Sequence, residues 1–246
     1  MAKLGHSTTM RVLFFLGMLV LAAASWAQTP SPIAQQIAKA YGLDSFGQID
    51  AIRYTFNIDV PGLFKTSRTW TWEPKADRVT YEGKDKAGNP VKVTYVRSQL
   101  SSQPDQVKKE IDPGFTNDSY WMFFPFHAYW DSSASVEDKG MQKLPMGTGT
   151  ARRVVVKYPA EGGGYTPGDT WELFVGPDNR VKQLLFRHGG NAKPSIVTAT
   201  WAGYKKAGPI LVSTDHHGTA DGKPLTLTFT NVAVKLAGSD TWVNAQ

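Results

Sequence analysis

The sequence predicts a mainly β fold, an antiparallel sheet with a few helices laid over it. Three observations carry this. Ile52, Tyr54, Phe56, Ile58 and Val60 alternate strictly with Arg53, Thr55, Asn57 and Asp59, the period-two pattern of a half-buried strand. Short apolar runs then recur between clusters of Gly, Pro, Asn and Asp, as in a meander of hairpins. Ile33, Ile37, Ala40 and Tyr41 stand at helical spacing, which gives one apolar stripe to set against a sheet.

The elements follow in order. Residues 28–32 read as a flexible lead. Ser31 is placed to cap the first helix, Pro32 occupies its first position, where a missing N–H costs nothing, and Gly42 ends it. After the strand over 52–60, Pro61-Gly62 turns the chain into a strand over 64–73. Its parity puts Phe64, Thr66, Arg68, Trp70 and Trp72 on one face. Strands over 78–82 and 91–96 follow, separated by turns at 74–77 and 85–90.

Gln103 to Ile111 suits a short helix that Asp112-Pro113-Gly114 should end. In Tyr120 to Trp130, eight of eleven residues are aromatic or histidine. That run breaks the alternation yet is too apolar for water, so it is expected to lie as a flap over the sheet. Strands resume over 151–158, 170–175, 181–187, 196–204, 210–215 and 225–236, with hairpin turns at 176–179 and 220–223. No repeat or heptad interrupts this pattern, so residues 28–246 are expected to form a single domain.

The first 27 residues divide into the parts of a secretory signal peptide. Lys3 and Arg11 give a basic start, Val12 to Ala24 is uncharged and apolar, and Ser25-Trp26-Ala27 presents small residues to a peptidase. The apolar run has 13 residues, short of the ~20 that span a bilayer. Cleavage near Ala27 and a periplasmic or secreted location are therefore expected, with no transmembrane segment in the mature chain.

The formal charge of the 246-residue chain is +6, and +6 − 2 = +4 after removal of Lys3 and Arg11. No basic cluster points to nucleic acid. The chain has no cysteine, which excludes disulfides, thiolate metal sites and a cysteine nucleophile.

Motifs with chemical meaning are few. Gly162-Gly163-Gly164 lacks the Lys-Ser/Thr ending of a phosphate loop and reads as a loop. Within Asp215-His216-His217 only Asp215 and His217 share a strand face. Two ligands are too few unless His127 or His188 joins them, so no metal is expected; a strand end running into a polar turn is the simpler reading. No Gly-x-Ser-x-Gly elbow occurs, and nothing demands a catalytic residue or a cofactor. Asn117-Asp118-Ser119 fits a glycosylation acceptor.

Aromatic residues make up 12% of the chain, and an antiparallel sheet lined by them under a helix builds a hydrophobic trough. Phe64, Arg68, Trp70, Trp72, Tyr81, Tyr95, Trp121, Phe123, Phe124, Phe126 and Trp130 are the candidate ligand-binding residues. Arg68 is the odd member. A lone arginine in an apolar trough must be paired or sit at the mouth; the expectation is that a bulge turns it to water.

The layout resembles the periplasmic LolA/LolB-like lipoprotein-carrier superfamily. The segments that carry the resemblance are Thr69-Trp70-Thr71-Trp72-Glu73-Pro74 through Arg78-Val79-Thr80-Tyr81, and Trp171-Glu172-Leu173-Phe174-Val175 followed by Asp178-Asn179-Arg180-Val181. The resemblance implies an incomplete antiparallel β-barrel, a half-barrel, lidded by helices and holding acyl chains. Glu73 stands where those carriers have arginine before the proline, and the cysteine that anchors the receptor member is missing.

The function expected from these readings is non-covalent binding or carriage of a lipid or other apolar molecule. A hydrolase or isomerase using the same trough, and a non-catalytic envelope scaffold, are the alternatives. An envelope protein partner fits either binding role.

Overall fold

Strand β1 (Ile49–Val60) is the spine of the sheet because its alternation leaves one face wholly apolar: Ile52, Tyr54 and Phe56 are fully buried. The computed structural model describes residues 31–85, 87–190 and 195–246. The segment 1–27 read as an export signal lies outside them. Along the chain, β1 is followed by β2 (Phe64–Glu73), β3 (Arg78–Lys84), β4 (Pro90–Val96), β5 (Ser135–Lys143), β6 (Thr150–Lys157) and β7 (Thr170–Val175). Then come β8 (Val181–Arg187), β9 (Ile196–Thr200), β10 (Ala202–Ala207), β11 (Ile210–Ala220), β12 (Lys223–Leu236) and β13 (Trp242–Asn244).

These strands form one antiparallel 13-stranded sheet in the order β4-β3-β2-β1-β12-β11-β9-β8-β7-β6-β5, with β10 on β11 and β13 on β12. Its outer strands β4 and β5 do not pair with each other, so the sheet stays open as a half-barrel. One face of most strands feeds the core: Trp70 on β2, Val79 and Tyr81 on β3, Trp171 and Leu173 on β7, Leu227 and Phe229 on β12. Each such side chain contributes roughly 1.5–3 kcal/mol by leaving water.

Helix α1 (Pro32–Ala40) buries Ile33, Ala34, Ile37 and Ala38. Ser31 stands at its N-cap without a side-chain cap bond. Gly42 ends it at φ 101, against the Pro209 carbonyl, where a Cβ would lie 2.5 Å away. Only glycine satisfies both demands.

The second helix departs from expectation. Asp112-Pro113-Gly114 does not end a helix; it opens α2 (Asp112–Trp130), which continues directly from a wide turn over Val107–Ile111. In that turn the Asp112 N–H bonds the Val107 carbonyl, five residues back. The wider turn and Pro113's place in the first turn of α2 let the proline enter without forfeiting a ladder bond. The aromatic run is thus helical, interrupted at Phe123 (φ −118, ψ 18) just before Pro125. It carries no stripe because it is buried on all sides, as expected of an interior helix.

Three smaller expectations are also corrected. The stretch 196–204 is broken at Trp201 into β9 and β10, and β11 runs past Asp215 to Ala220 rather than ending there. The Asn117-Asp118-Ser119 acceptor lies inside α2, with Asn117 exposed and Asp118 and Ser119 buried, so it sits on a helix and not in a loop. Arg68 does not sit past a bulge: β1 and β2 pair in unbroken register from Ile52↔Trp72 to Val60↔Phe64, and Arg68 keeps the parity of Trp70.

Candidate functional site

Helix α2 lies in the trough of the half-barrel and is tied to the sheet by buried acid–base pairs. Asp118 is fully buried; it accepts Arg68 Nε at 2.7 Å and Arg68 Nη2 at 2.6 Å. It also accepts the Trp70 indole N–H at 2.8 Å and Asn117 Nδ2 at 3.0 Å. Burial pushes its carboxyl up, against the pull of these donors. Six residues towards the N-terminus, Asp112 accepts Tyr95 OH and Arg97 Nε, both at 2.9 Å. At the other end Asp131 accepts Tyr120 OH at 2.7 Å and Tyr158 OH at 2.8 Å, with His127 Nδ1 at 3.3 Å. Burial opposes ionisation of Asp131, but these donors outweigh it and hold its carboxyl below the usual range.

Two hollows lie along α2 and the wide turn before it. The larger, about 610 Å³, lies between α2 and strands β7 and β8. Its apolar wall is Pro113, Trp121, Trp171 and Phe186, and its polar groups include Thr116, Asn117, Thr166, Asp169 and His188. The wall is rigid. Trp171 stacks on Phe124 at 4.1 Å and meets Phe186 at 4.5 Å and Trp121 at 5.1 Å. At the rim, the loops after β6 and β8 touch through Gly168 and Gly189, where a Cβ on Gly189 would lie 2.2 Å from the Gly168 carbonyl carbon. Asp169 accepts the Gly189 N–H at 2.7 Å, and His188 Nδ1 lies 3.0 Å from its carboxylate. The smaller hollow, about 210 Å³ between strands β2 and β3 and the wide turn that leads into α2, is lined by Arg68, Trp70, Tyr81, Lys84 and Glu110 among others. A further hollow of about 860 Å³ is lined mainly by short polar side chains of the opposite face, such as Asn57, Ser67, Thr226 and Thr228.

The candidate residues divide accordingly. Trp121 lines the larger cavity, and Arg68, Trp70 and Tyr81 the smaller. Tyr95, Phe123, Phe124 and Phe126 are buried in the core, and Trp72 and Trp130 are packed partly buried against it. Trp72 meets Phe123 at 5.6 Å, and Trp130 stacks on Phe126 at 5.1 Å. Phe64 stands apart at the β1–β2 turn, 52% exposed. Cavity residues outside the ligand-binding candidates include Trp171, Phe186, Thr166, Asp169 and His188; the sequence marked Trp171 only through the resemblance and His188 only as a possible metal ligand. Strand parity carries a signal for two of them, since Trp171 and Leu173 alternate like the strand over 52–60 and pair with Phe186 and Leu184.

Asp215 and His217 do share a face, with Oδ1 and Nε2 2.8 Å apart; His217 is exposed and Asp215 half-buried. Among the described residues no three acidic or histidine side chains are grouped to hold a metal ion. Among the same residues no helix is long and apolar enough to cross a membrane. Glu73, the departure from the carrier pattern, pairs with Arg78 across the β2–β3 turn.

No family model matches the sequence, and no curated protein matches it. Solved structures are similar in layout. A DUF1329 family protein from Desulfovibrio piger has 9% identity and a TM-score of 0.45, over 85% of this chain and 94% of the other. The Mycobacterium tuberculosis lipoprotein LppX has 10% identity and a TM-score of 0.30, over 82% of this chain and 96% of its own. A LolA superfamily protein from Nitrosomonas europaea has 10% identity and a TM-score of 0.45, over 83% of this chain and 93% of that one.

Proposed function

We propose that residues 28–246, exported after cleavage near Ala27, act as one unit that binds a lipid or other apolar molecule non-covalently in the cavity between α2 and strands β7 and β8. The observation that carries this reading is the cavity's construction. It has about 610 Å³ of space, within the roughly 300–1,000 Å³ of ligand pockets, and an aromatic wall with a few polar groups at one side. Binding of this kind needs no catalytic residue. Each buried methylene contributes about 0.8 kcal/mol, so chain length sets affinity.

Tryptophan emission tests the reading, because Trp121 and Trp171 line the cavity. Adding a fatty acid or phospholipid should change it. Phe124→Ala removes the ring stacked on Trp171, and Trp70→Ala removes a donor that seats α2. Both should weaken the response while β-type circular dichroism persists. An absence of response across a panel of apolar ligands would defeat the reading.

The envelope-scaffold reading has one specific observation behind it. The protein's own aromatic side chains on α2 fill much of the trough. That reading predicts no apolar ligand and no change in emission, so the same titration separates the two.

A further inference from the structure

The loop between β6 and β7 runs along the edge of the larger cavity and meets the group that anchors α2. Its base is fixed. The Tyr158 N–H bonds the Asp169 carbonyl at 2.9 Å, and the Gly168 N–H bonds the Pro159 carbonyl at 3.1 Å. Gly163 is drawn into this neck, where a Cβ would lie 2.2 Å from the Pro159 carbonyl oxygen and 2.8 Å from Pro167 Cα. On either side of it the loop is unpacked. Gly162 and Gly164 hold φ +72 and +63, and a Cβ on either would meet nothing within 4 Å. Glycine leaves the backbone free to turn at such points.

Gly164, Tyr165 and Thr166 line the cavity from this loop, and Thr116 and Trp121 line it from α2. Arg97 joins the two sides. It pairs with Asp112 and donates from Nη2 to Thr116 Oγ1 at 3.2 Å. The Tyr165 ring lies over its guanidinium at 4.7 Å. Because Thr116 and Tyr165 both line the cavity, these contacts bridge its edge from loop to helix. The two halves of the bridge differ in freedom. Arg97 is held by the buried Asp112 and lies over the Phe115 ring at 5.1 Å, so it cannot leave without stranding a buried carboxylate. Tyr165 is 57% exposed and follows Gly164, and a ring on a cation at such a site is a weak contact.

Resting on the binding role proposed above, we infer that Tyr165 is the gate of the cavity. Its ring closes the edge while it lies on Arg97, and a ligand enters and leaves when it lifts. A gate that closes alike over the empty and the filled cavity slows both directions and leaves affinity unchanged, since it favours neither state. A residue that is only part of the wall acts differently: its loss speeds release and leaves entry as it was.

Stopped-flow mixing of the full mature chain with N-phenyl-1-naphthylamine reads the entry rate, and displacement of the bound probe by excess methyl undecanoate reads the release rate. Tyr165→Ala should raise both rates about two- to fivefold, the factor that one cation–π contact at an exposed site supplies, with Kd unchanged within about twofold. Tyr165→Phe keeps a ring over Arg97 and should match the wild type. Tyr165→Leu keeps apolar bulk without a π face and should behave like the alanine variant. Rates unchanged in Tyr165→Ala overturn the inference, and so does faster release with unchanged entry. A phenylalanine variant as fast as alanine, or a leucine variant as slow as the wild type, overturns it too. Each of these outcomes leaves the binding role standing. Failure of the probe to bind the wild type defeats the binding role itself.

Discussion

Replacing Arg68 with alanine should cost about 3–5 kcal/mol of stability, because it strands a carboxylate rather than merely deleting a contact. Arg68 gives two hydrogen bonds to Asp118, whose side chain is fully buried beneath α2. The remaining donors, Trp70 Nε1 and Asn117 Nδ2, are neutral and cannot balance a charge out of water. The double change Arg68→Met with Asp118→Leu removes both charges and fills similar volume, so most of the loss should be recovered. Urea unfolding of the wild type, both single variants and the double variant closes the cycle, with circular dichroism at about 215 nm following the strands. A coupling near zero, with Arg68→Ala costing under about 1 kcal/mol, would show that the pair behaves as a surface salt bridge. The account of how α2 is seated would then be refuted.

Two further outcomes follow from the same coordinates. His216 is fully buried, with Nδ1 on the Thr200 carbonyl at 3.0 Å and Nε2 unpartnered, and burial pushes it down from 6.5 to about 4. Between these values the unfolded chain takes up a proton that the folded chain does not, so stability should be lost as the pH is lowered from 6.5 to about 4. The fall is about 3 kcal/mol, and His216→Phe should flatten it in urea unfolding at pH values on either side. In the cavity, lengthening a bound acyl ester by two methylenes should tighten Kd about tenfold until the space is filled; calorimetric titration reads this, and an affinity independent of chain length would contradict apolar burial.

Much of the sheet was legible because its strands face a core on one side only. The strand over 64–73 matches β2 at both ends, since Pro61-Gly62 and Pro74 punctuate it and its inward residues are large. Strand β5, absent from the sequence reading, is mostly exposed along Glu137 to Lys143, so no apolar alternation marks it. Strand β13 has three residues, too few for any period.

Helix α2 was illegible for the opposite reason. Its aromatic residues from Phe115 to Phe126 are buried all round, and neither a stripe nor a strict alternation survives that. The site was legible in kind but not in place. Strand parity put Arg68 among aromatic residues and required a partner for it, but that partner, Asp118, lies 50 residues away inside the unrecognised helix. The aromatic wall of the larger cavity draws Trp171 and Phe186 from strands whose closeness to Trp121 only the sheet order reveals.

The central claim is that an apolar molecule occupies the space between α2 and strands β7 and β8. Photo-crosslinking tests it most directly. A methyl ester carrying a diazirine along its acyl chain is irradiated with the protein, and the labelled peptides are sequenced. The account predicts label on Trp121, Trp171, Phe186 and their neighbours, competed away by unlabelled ester. Label confined to the polar hollow around Asn57, Ser67 and Thr228, or no competed label at all, would contradict it.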